Sequence, residues 1–397
     1  MSMVKEAQTA RFAVAGLIMV ALLAAAAAPS PLYPVYQQLW GFSDFTLTVI
    51  FAIYVLALLA TMIALGSLAD VVGTRSVLVA GLLVQIAAMV LFILADGVGP
   101  LIVARLVQGA ATGLCTGAAS AMIVAHQPSQ PAGALVSGGS SPIGLALGAA
   151  LAGLLVEYAP WPRQLVYSVL LGTYAALLIA LILLPRDPVP RQPVRLRALV
   201  PRVGLPAAVR PLFIRRIPAL LAIWAPAGLY LSLGASLVHT TFGVDNTFVV
   251  GLTLAVFFLP APAATWRMRG MTPRRHGLLS FGLLGLGVLC TVVAVLVDSL
   301  ALYIVASALA GAGFGAGFSR VMGTIGQAAP AADRSRTFAT TFIVAYTAFS
   351  VPAVLAGLAA QHFGLVPTFI VYGLCEVGVV IIAAALAATS PKRGAPS

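Results

Sequence analysis

Arg105 suggests chemistry by its position, because it interrupts a long apolar stretch and is followed one helical turn later by Gln108. A helix rises about 1.5 Å per residue, so Arg105 would lie roughly 9 Å along a helix that begins near residue 99. An arginine at that depth in a membrane costs on the order of 2.5–3.5 kcal/mol and usually faces a cavity or a partner. We therefore expect Arg105 to face a cavity or a partner and to mark a functional site. The alternative is a side chain that reaches up to the lipid headgroups.

Two carboxylic acids are candidates for carrying a proton. Glu376 lies about ten residues into an apolar run, or roughly 15 Å along it, which is the middle of a bilayer core of about 30 Å. A neutral glutamate with a local partner is the alternative there. Asp44 stands just before another apolar run, where a helix cap is the alternative role.

The segment from Gly66 to Arg75 joins two apolar runs and carries two glycines and two opposite charges. Gly66 and Gly73 permit a tight turn. Asp70 and Arg75 lie at the membrane edge, where an ion pair or a contact with a helix terminus is strengthened because water is partly excluded. These four residues could form a latch that holds two helical bundles together and releases them. A capped loop with one surface ion pair is the simpler interpretation.

Small residues and a proline mark places of close helix contact. Gly109 and Gly113 are spaced by four residues, which leaves a smooth helix face. Pro142 lies inside a later apolar run with Gly144 and Gly148, which predicts a bend and close packing. Three residues near the end of the first apolar run either line the outer mouth of a cavity or belong to an ordinary aromatic belt: Tyr33, Tyr36 and Gln37.

Residues suited to metal or covalent chemistry are scattered. The three cysteines fall in separate apolar runs, and the four histidines show no ligand spacing. The sequence has no nucleotide-binding glycine loop with a lysine. We therefore expect a protein that is not an enzyme and that holds neither a metal nor another cofactor.

The composition places all of these residues in a membrane. Of 397 residues, 61% are hydrophobic and 8% are charged, whereas a soluble domain carries roughly 25% charged residues. Runs of roughly 20 apolar residues cross a bilayer as helices, because a helix satisfies its own backbone polar groups. The sequence predicts an all-α polytopic membrane protein with a tight turn at Asp298 and twelve spans: 12–35, 45–68, 76–95, 99–124, 132–156, 164–184, 217–242, 247–265, 277–297, 299–322, 337–360 and 366–388.

The basic residues lie mostly on one side of the predicted membrane. The net charge is +12, and all lysines and arginines except Arg105 and Arg163 fall in segments on the same side as the N-terminus. This bias orients both termini toward the cytoplasm, in a multi-pass protein of the cell membrane. It also predicts contact with anionic lipid headgroups, so nucleic-acid binding is not needed to explain the charge.

Residues 185–216 interrupt the hydrophobic rhythm with eight arginines and seven prolines. Proline and like charges predict a cytoplasmic loop here, between a bundle at 1–184 and a second bundle at 217–397. A repeat supports two six-span halves, because two glycine pairs coincide at an offset of 202 residues: Gly109 with Gly311, and Gly113 with Gly315.

The loop between the second and third spans resembles the loop signature of the major facilitator superfamily. That resemblance implies two bundles that rock against each other and a gating role for Asp70 and Arg75. Val71 and Thr74 depart from the signature, where the family often has basic residues. The positions that match are Gly66, Leu68, Ala69, Asp70, Gly73 and Arg75.

The fourth and fifth spans carry two further resemblances to the same superfamily. Arg105, Gln108 and Gly109 are similar to its span-four motif, which implies an arginine that faces the interior and is linked to proton coupling. The segment 137–148 resembles in part the glycine-proline motif of its antiporters, with Ser141 in place of a glycine before Pro142. This partial match favours antiport slightly over symport.

These observations predict a secondary transporter that works by alternating access, with proton-coupled efflux of small lipophilic compounds or metabolites as the favoured activity. The family's sugar symporters often have an acidic residue in the first span, and none lies between Phe12 and Tyr36. A symporter or uniporter of a neutral metabolite such as a sugar is the first alternative. A receptor or scaffold that has lost transport is the second. Substrate identity and oligomeric state are not readable from the sequence.

Overall fold

The computed structural model describes residues 2–185, 204–330 and 333–389. Within these ranges the regular elements are helices, and they form twelve candidate spans that are long and apolar enough to cross a membrane. The predicted all-α fold with twelve spans is therefore confirmed. Residues 186–203 of the predicted loop lie outside the described residues, and span 7 begins earlier than predicted, at Arg210.

Span 1 is broken into two helices. Pro29 stops the first helix, because proline has no N–H to bond the carbonyl of Ala25 and continue the ladder. A short extra helix lies in the loop after span 2. The first half consists of Ser2–Ala27, a 3₁₀ turn at Ser30–Leu32 and Tyr33–Trp40 (span 1), Asp44–Leu65 (span 2), Leu68–Val72 (loop), Thr74–Leu94 (span 3), Val98–His126 (span 4), Gln130–Tyr158 (span 5) and Leu165–Leu183 (span 6).

Spans 7 and 8 are interrupted as well. In span 8 the first helix ends at Phe258, because Pro260 has no N–H to bond the carbonyl of Val256 and continue the ladder. The second half consists of Arg210–Ser232 and Gly234–Thr241 (span 7), Thr247–Phe258 and Ala261–Met268 (span 8), Pro273–Leu296 (span 9), Leu300–Ala328 (span 10), Arg334–Phe363 (span 11) and Leu365–Ala388 (span 12).

The twelve spans alternate in direction, so the first and the last described residues lie toward the same end of the bundle, which we call the terminal face. The opposite face carries the turns that follow each odd-numbered span. The predicted tight turn between spans 9 and 10 is there, with Asp298 in the left-handed region at φ +52°. Ser299 begins span 10, and its hydroxyl accepts a hydrogen bond from the Leu302 N–H at 3.4 Å.

The two halves repeat each other closely. An offset of 202 residues carries both ends of span 4, Val98–His126, onto the ends of span 10, Leu300–Ala328. The glycine contacts repeat too: Gly109 packs against the Tyr54 backbone carbonyl, and Gly311 packs against that of Phe257. The fold is thus two six-helix bundles, as predicted.

Glycines on span 4 allow it to approach span 2 closely. A Cβ atom at Gly109 or Gly113 would overlap the backbone of span 2, whereas one at Gly117 would meet no atom within 4 Å. We expect Gly109→Val to lower the apparent melting temperature in detergent and the yield of folded protein, because overpacking costs on the order of 1–3 kcal/mol. Gly117→Val is the matched control and should leave both unchanged. Equal melting temperatures would show that span 4 can shift without loss.

Span 5 packs on span 1 through the predicted small residues. A Cβ atom at Gly144 would lie 2.5 Å from the Val20 carbonyl oxygen, and one at Gly148 would overlap Ala24. Pro142 lies inside the span 5 helix, one turn closer to the terminal face. Close backbone contact therefore runs along one face of span 5.

The two bundles meet through spans 5 and 8 and through spans 2 and 11. A Cβ atom at Gly251 of span 8 would lie 2.5 Å from the carbonyl oxygen of Ala149 in span 5. A Cβ atom at Gly357 of span 11 would overlap Thr48 in span 2. Both contacts lie in the half of the molecule nearer the opposite face, so the bundles are closed against each other there.

Candidate functional site

Arg105 lies inside the N-terminal bundle, with none of its side chain exposed. Its Nη1 donates to the Ala26 carbonyl at 3.1 Å and to Gln108 Oε1 at 2.9 Å, and its Nη2 donates to the Tyr33 hydroxyl. Gln108 is also fully buried, and its Nε2 donates to the Ala25 carbonyl at 2.8 Å. These bonds join span 4, two to three turns from its start, to the broken part of span 1.

The break in span 1 explains why these two polar side chains belong together. The last carbonyls of a helix have no intrahelical donor, and the donor that Ala25 would otherwise use is missing because residue 29 is proline. Gln108 supplies that donor to Ala25, and Arg105 supplies one to Ala26. A positive charge is also favourable at a helix C-terminus. Arg105 and Gln108 thus satisfy the carbonyls at the helix end that Pro29 creates.

Aromatic rings surround the guanidinium of Arg105. Its Cζ atom lies 5.4 Å from the ring centroid of Tyr54, 5.7 Å from that of Tyr33 and 6.0 Å from that of Phe92. No carboxylate of the described side chains lies within ion-pair distance of Arg105, and Arg105 Nε has no hydrogen-bond partner. The charge is stabilised by carbonyls, a hydroxyl and π faces.

The predicted cavity residues Tyr33 and Tyr36 do not face an open cavity in this structure. Both are buried, with 0% and 2% exposure. Tyr36 stacks on Trp40 at 4.7 Å between ring centroids, and its hydroxyl lies 3.2 Å from that of Tyr167. Spans 1 and 6 therefore enclose the ring of Tyr36, and the substrate role of these tyrosines stays a prediction.

Asp44 and Gln37 lie at the junction of the two halves on the opposite face. Gln37 Nε2 donates to Asp44 Oδ1 at 2.8 Å, and Gln37 Oε1 accepts from the Ser236 hydroxyl of span 7 at 3.0 Å. Asp44 is the first residue of the span 2 helix, and the cap is Ser43, whose Oγ accepts from the Thr46 N–H at 3.3 Å. The carboxylate is thereby tied to span 1.

Other bonds join the halves on the same face. Ser30 Oγ donates to the Leu231 carbonyl at 2.7 Å, and Gln38 Nε2 lies 3.1 Å from His239 Nε2. The Thr247 N–H donates to Glu157 at 2.7 Å. Sequence analysis missed His239, although one signal points to it. Gln38 and His239 are 201 residues apart, close to the repeat offset, and equivalent ends of spans 1 and 7 meet across the axis that relates the halves.

On the terminal face, Arg75 binds the end of span 6. Its Nη1 donates to the Leu184 carbonyl at 2.7 Å and its Nη2 to the Ile182 carbonyl at 2.6 Å, a favourable position for a cation at a helix C-terminus. Gly73 has a φ of +87° that favours glycine, whereas Gly66 has helical geometry. Asp70 lies on the short helix Leu68–Val72, and its side chain is outside the described residues.

Glu376 lies on the buried face of span 12, with 5% exposure. Its Oε1 has no hydrogen-bond partner among the described residues. One turn earlier, the Tyr372 hydroxyl donates to the Ala225 carbonyl of span 7 at 2.8 Å, and Gly373 packs against Val292 of span 9. Glu376 therefore points into the C-terminal bundle, at a distance from the Arg105 site.

An aromatic group that sequence analysis missed lies in the C-terminal bundle around Trp224 of span 7. Its indole Nε1 is buried without a hydrogen-bond partner among the described residues. Phe349 contacts Phe51 of span 2 at 5.0 Å between ring centroids, so the group reaches the other bundle. The four rings around Trp224, with centroids 5.2–5.9 Å from it, are Phe314, Phe318, Tyr346 and Phe349. We call these five residues the Trp224 group.

Comparison with known proteins agrees with this architecture. The profile of the Major Facilitator Superfamily matches residues 15–340. This chain belongs to the major facilitator superfamily. Its structure resembles the crystal structure of a mutant of the nucleoside transporter NupG, with a TM-score of 0.72 and 11% identity over 96% of this chain and 99% of the other. No curated protein matches the sequence at a significant level.

Membership of the major facilitator superfamily establishes the general activity. The chain is a multi-pass membrane transporter with a small-molecule substrate, and not an enzyme. The likeness to NupG is a likeness of fold.

Proposed function

We propose that this chain exports small lipophilic compounds across a cell membrane in exchange for protons, by alternating access. Both termini face the cytoplasm, in accord with the bias of the basic residues, so the terminal face is cytoplasmic. The Trp224 group is the observation that carries the substrate class. It offers a large apolar aromatic surface beside the other bundle, and no described carboxylate is bonded to it.

The gate and the proton path are assigned to the predicted residues. Gly66, Asp70, Gly73 and Arg75 form the cytoplasmic gate, and the bond of Arg75 to the end of span 6 anchors it. Protons are coupled through Arg105 and Gln108, Asp44 and Glu376. Of these, Glu376 is the described carboxylate that is both buried and at mid-membrane depth, where an ionised form is costly.

A second candidate is uniport or symport of a neutral metabolite. One observation favours it: a solved structure with a similar fold is that of a nucleoside transporter. Aromatic rings also stack well on planar bases, a contribution of roughly 1–3 kcal/mol per base in other proteins. The same Trp224 group would then bind a nucleoside.

The test is proton movement in everted membrane vesicles on addition of lipophilic cations, uncharged aromatic compounds, nucleosides, sugars and amino acids. We expect lipophilic compounds to cause protons to leave the vesicle lumen. Trp224→Ala should weaken the response at least tenfold, because truncating a tryptophan at the centre of a binding surface typically costs about 2 kcal/mol or more. Trp266→Ala is the matched control, since Trp266 is exposed and stacks on Arg269. Glu376→Gln should leave substrate binding intact and uncouple the proton.

Three outcomes discriminate the proposals. A response to nucleosides or sugars alone would replace export of lipophilic compounds by the second candidate. Flux of labelled compound without proton movement would support transport and contradict proton coupling. Absence of both, with folded protein in the membrane, would favour a scaffold that has lost transport.

A further inference from the structure

His239 makes a contact between the two halves whose strength depends on its charge. Gln38 is on the second helix of span 1, and His239 is on the second helix of span 7, with 3.1 Å between their Nε2 atoms. When an alternating-access transporter opens its opposite face, spans 1 and 7 separate there. The Gln38–His239 bond must therefore break and reform in every cycle.

The surroundings of His239 fix the form of the neutral ring. Its Nδ1 lies 3.1 Å from the Val244 carbonyl oxygen, which can only accept a hydrogen bond, so the proton of the neutral ring is on Nδ1. The Nε2 atom is then an acceptor for the amide N–H of Gln38. This is a bond between two uncharged groups, worth little in net terms beside a bond to a charge.

Protonation changes the bond and strengthens it. A proton on Nε2 makes that atom a donor, and half a turn of the Gln38 amide presents Oε1 to accept from it. Asp245 Oδ1 lies 3.6 Å from Nδ1 and offsets the added charge. Hydrogen bonds to a charged group are roughly twice as strong as neutral ones. When the opposite face opens, Gln38 moves away from His239, whereas Asp245 stays close because it lies in the loop that follows the His239 helix. Protonation of His239 therefore stabilises the closed form more than the open form.

Among the described residues, no carboxylate other than that of Asp245 is within ion-pair distance of His239. The elements packed against Gly234–Thr241 are the rest of span 7, the broken end of span 1, the start of span 8 and span 12. Asp44 is held by Gln37, Glu157 is held by the Thr247 N–H, and Glu376 lies about eleven residues down span 12.

Protons can reach His239 from the opposite face. A cavity of about 320 Å³ opens between spans 1, 7 and 8, and a quarter of the His239 side chain is exposed, at 25%. The residues lining this cavity include Gln38, His239 and Asp245 together with Pro31, Pro34 and Thr247. The ring is therefore in contact with solvent while it bridges the halves.

We propose that His239 is a gating residue that binds a proton from the opposite face and thereby favours closure of that face, through Gln38. The inference rests on the alternating access of the proposed function and concerns the gate alone. Its test needs no substrate, so failure of the export proposal would not be confused with failure of the His239 gating proposal.

The experiment measures distances between spin labels across the opposite face, in lipid nanodiscs from pH 5.5 to 8. Cysteines replace Leu94 and Leu296, which are exposed and lie at equivalent ends of spans 3 and 9. The native Cys290 and Cys375 are replaced by serine. We expect the ratio of short to long distances to rise about fivefold as the pH falls, the effect of turning a neutral hydrogen bond into a charged one.

His239→Gln should remove this pH response while keeping an uncharged bond to Gln38, and Gln38→Leu should remove the bond and reduce the closed fraction. His362→Gln, at the end of span 11 on the same face, is the matched control and should respond like the wild type. A response that survives in His239→Gln would overturn the proposal, because another group would then titrate. A wild-type distribution that does not change with pH would overturn it as well.

Discussion

Arg105→Ala should abolish coupled transport, with a loss of at least a hundredfold, because the change removes three hydrogen bonds from a charged group, each worth about 1.5–3 kcal/mol. The change leaves the Ala26 carbonyl, the Tyr33 hydroxyl and Gln108 Oε1 without the donor they share. The joint between spans 1 and 4 would lose its fixed geometry.

The stability of the Arg105→Ala protein should fall much less than its transport rate. Removing the charge also removes the cost of holding an arginine at membrane depth, on the order of 2.5–3.5 kcal/mol. Proton movement in vesicles and thermal unfolding in detergent, measured at matched expression, separate the two effects. Arg269→Ala is the control, since Arg269 is exposed. Transport above half of the wild-type rate in Arg105→Ala would remove Arg105 from the mechanism.

Gly251→Val should arrest the transporter with its opposite face open. A Cβ atom at position 251 would lie 2.5 Å from the Ala149 carbonyl oxygen and 3.1 Å from the Gly153 Cα atom of the other bundle. Valine cannot fit at that distance, so spans 5 and 8 must stay apart near the opposite face. Transport should fall at least tenfold, because one half of the cycle is blocked, while each bundle still folds by its own contacts.

The Leu94–Leu296 spin-label pair measures this arrest directly, and longer distances should dominate at every pH. Gly172→Val is the matched control, since a Cβ atom at Gly172 of span 6 would meet no atom within 4 Å. Normal transport by Gly251→Val would mean that the Gly251 contact is not part of the moving interface.

The helices of this fold could be predicted from the sequence much better than their faces. Apolar runs located all twelve spans, because a membrane helix must be apolar along its whole length. The same requirement hides orientation: side chains that face lipid are as apolar as those that face the core. The Trp224 group assembles rings from spans 7, 10 and 11, and no periodicity in those segments marks which ring faces inward.

In the candidate site, too, some residues could be selected from the sequence and their partners could not. Arg105 and Gln108 could be selected because a charge at membrane depth needs a reason. Their partners, the carbonyls of Ala25 and Ala26, lie about 80 residues earlier and became available only through a helix break at Pro29. Prolines alone did not predict such breaks, since Pro226 and Pro352 lie inside continuous helices whereas Pro29 and Pro260 end theirs.

The internal repeat bears on any attempt to exchange one half of the molecule for the other. Ser307 occupies the place in span 10 that Arg105 occupies in span 4, and its hydroxyl meets Tyr230 of span 7 at 2.7 Å, much as Arg105 meets Tyr33 of span 1. The two halves thus share their fold and differ in what they enclose: the first encloses the charge of Arg105, and the second contains the Trp224 group. A chimera built from two N-terminal halves would bury two guanidinium groups, one in each half, and would lack the Trp224 group. The two halves share a fold and cannot replace each other.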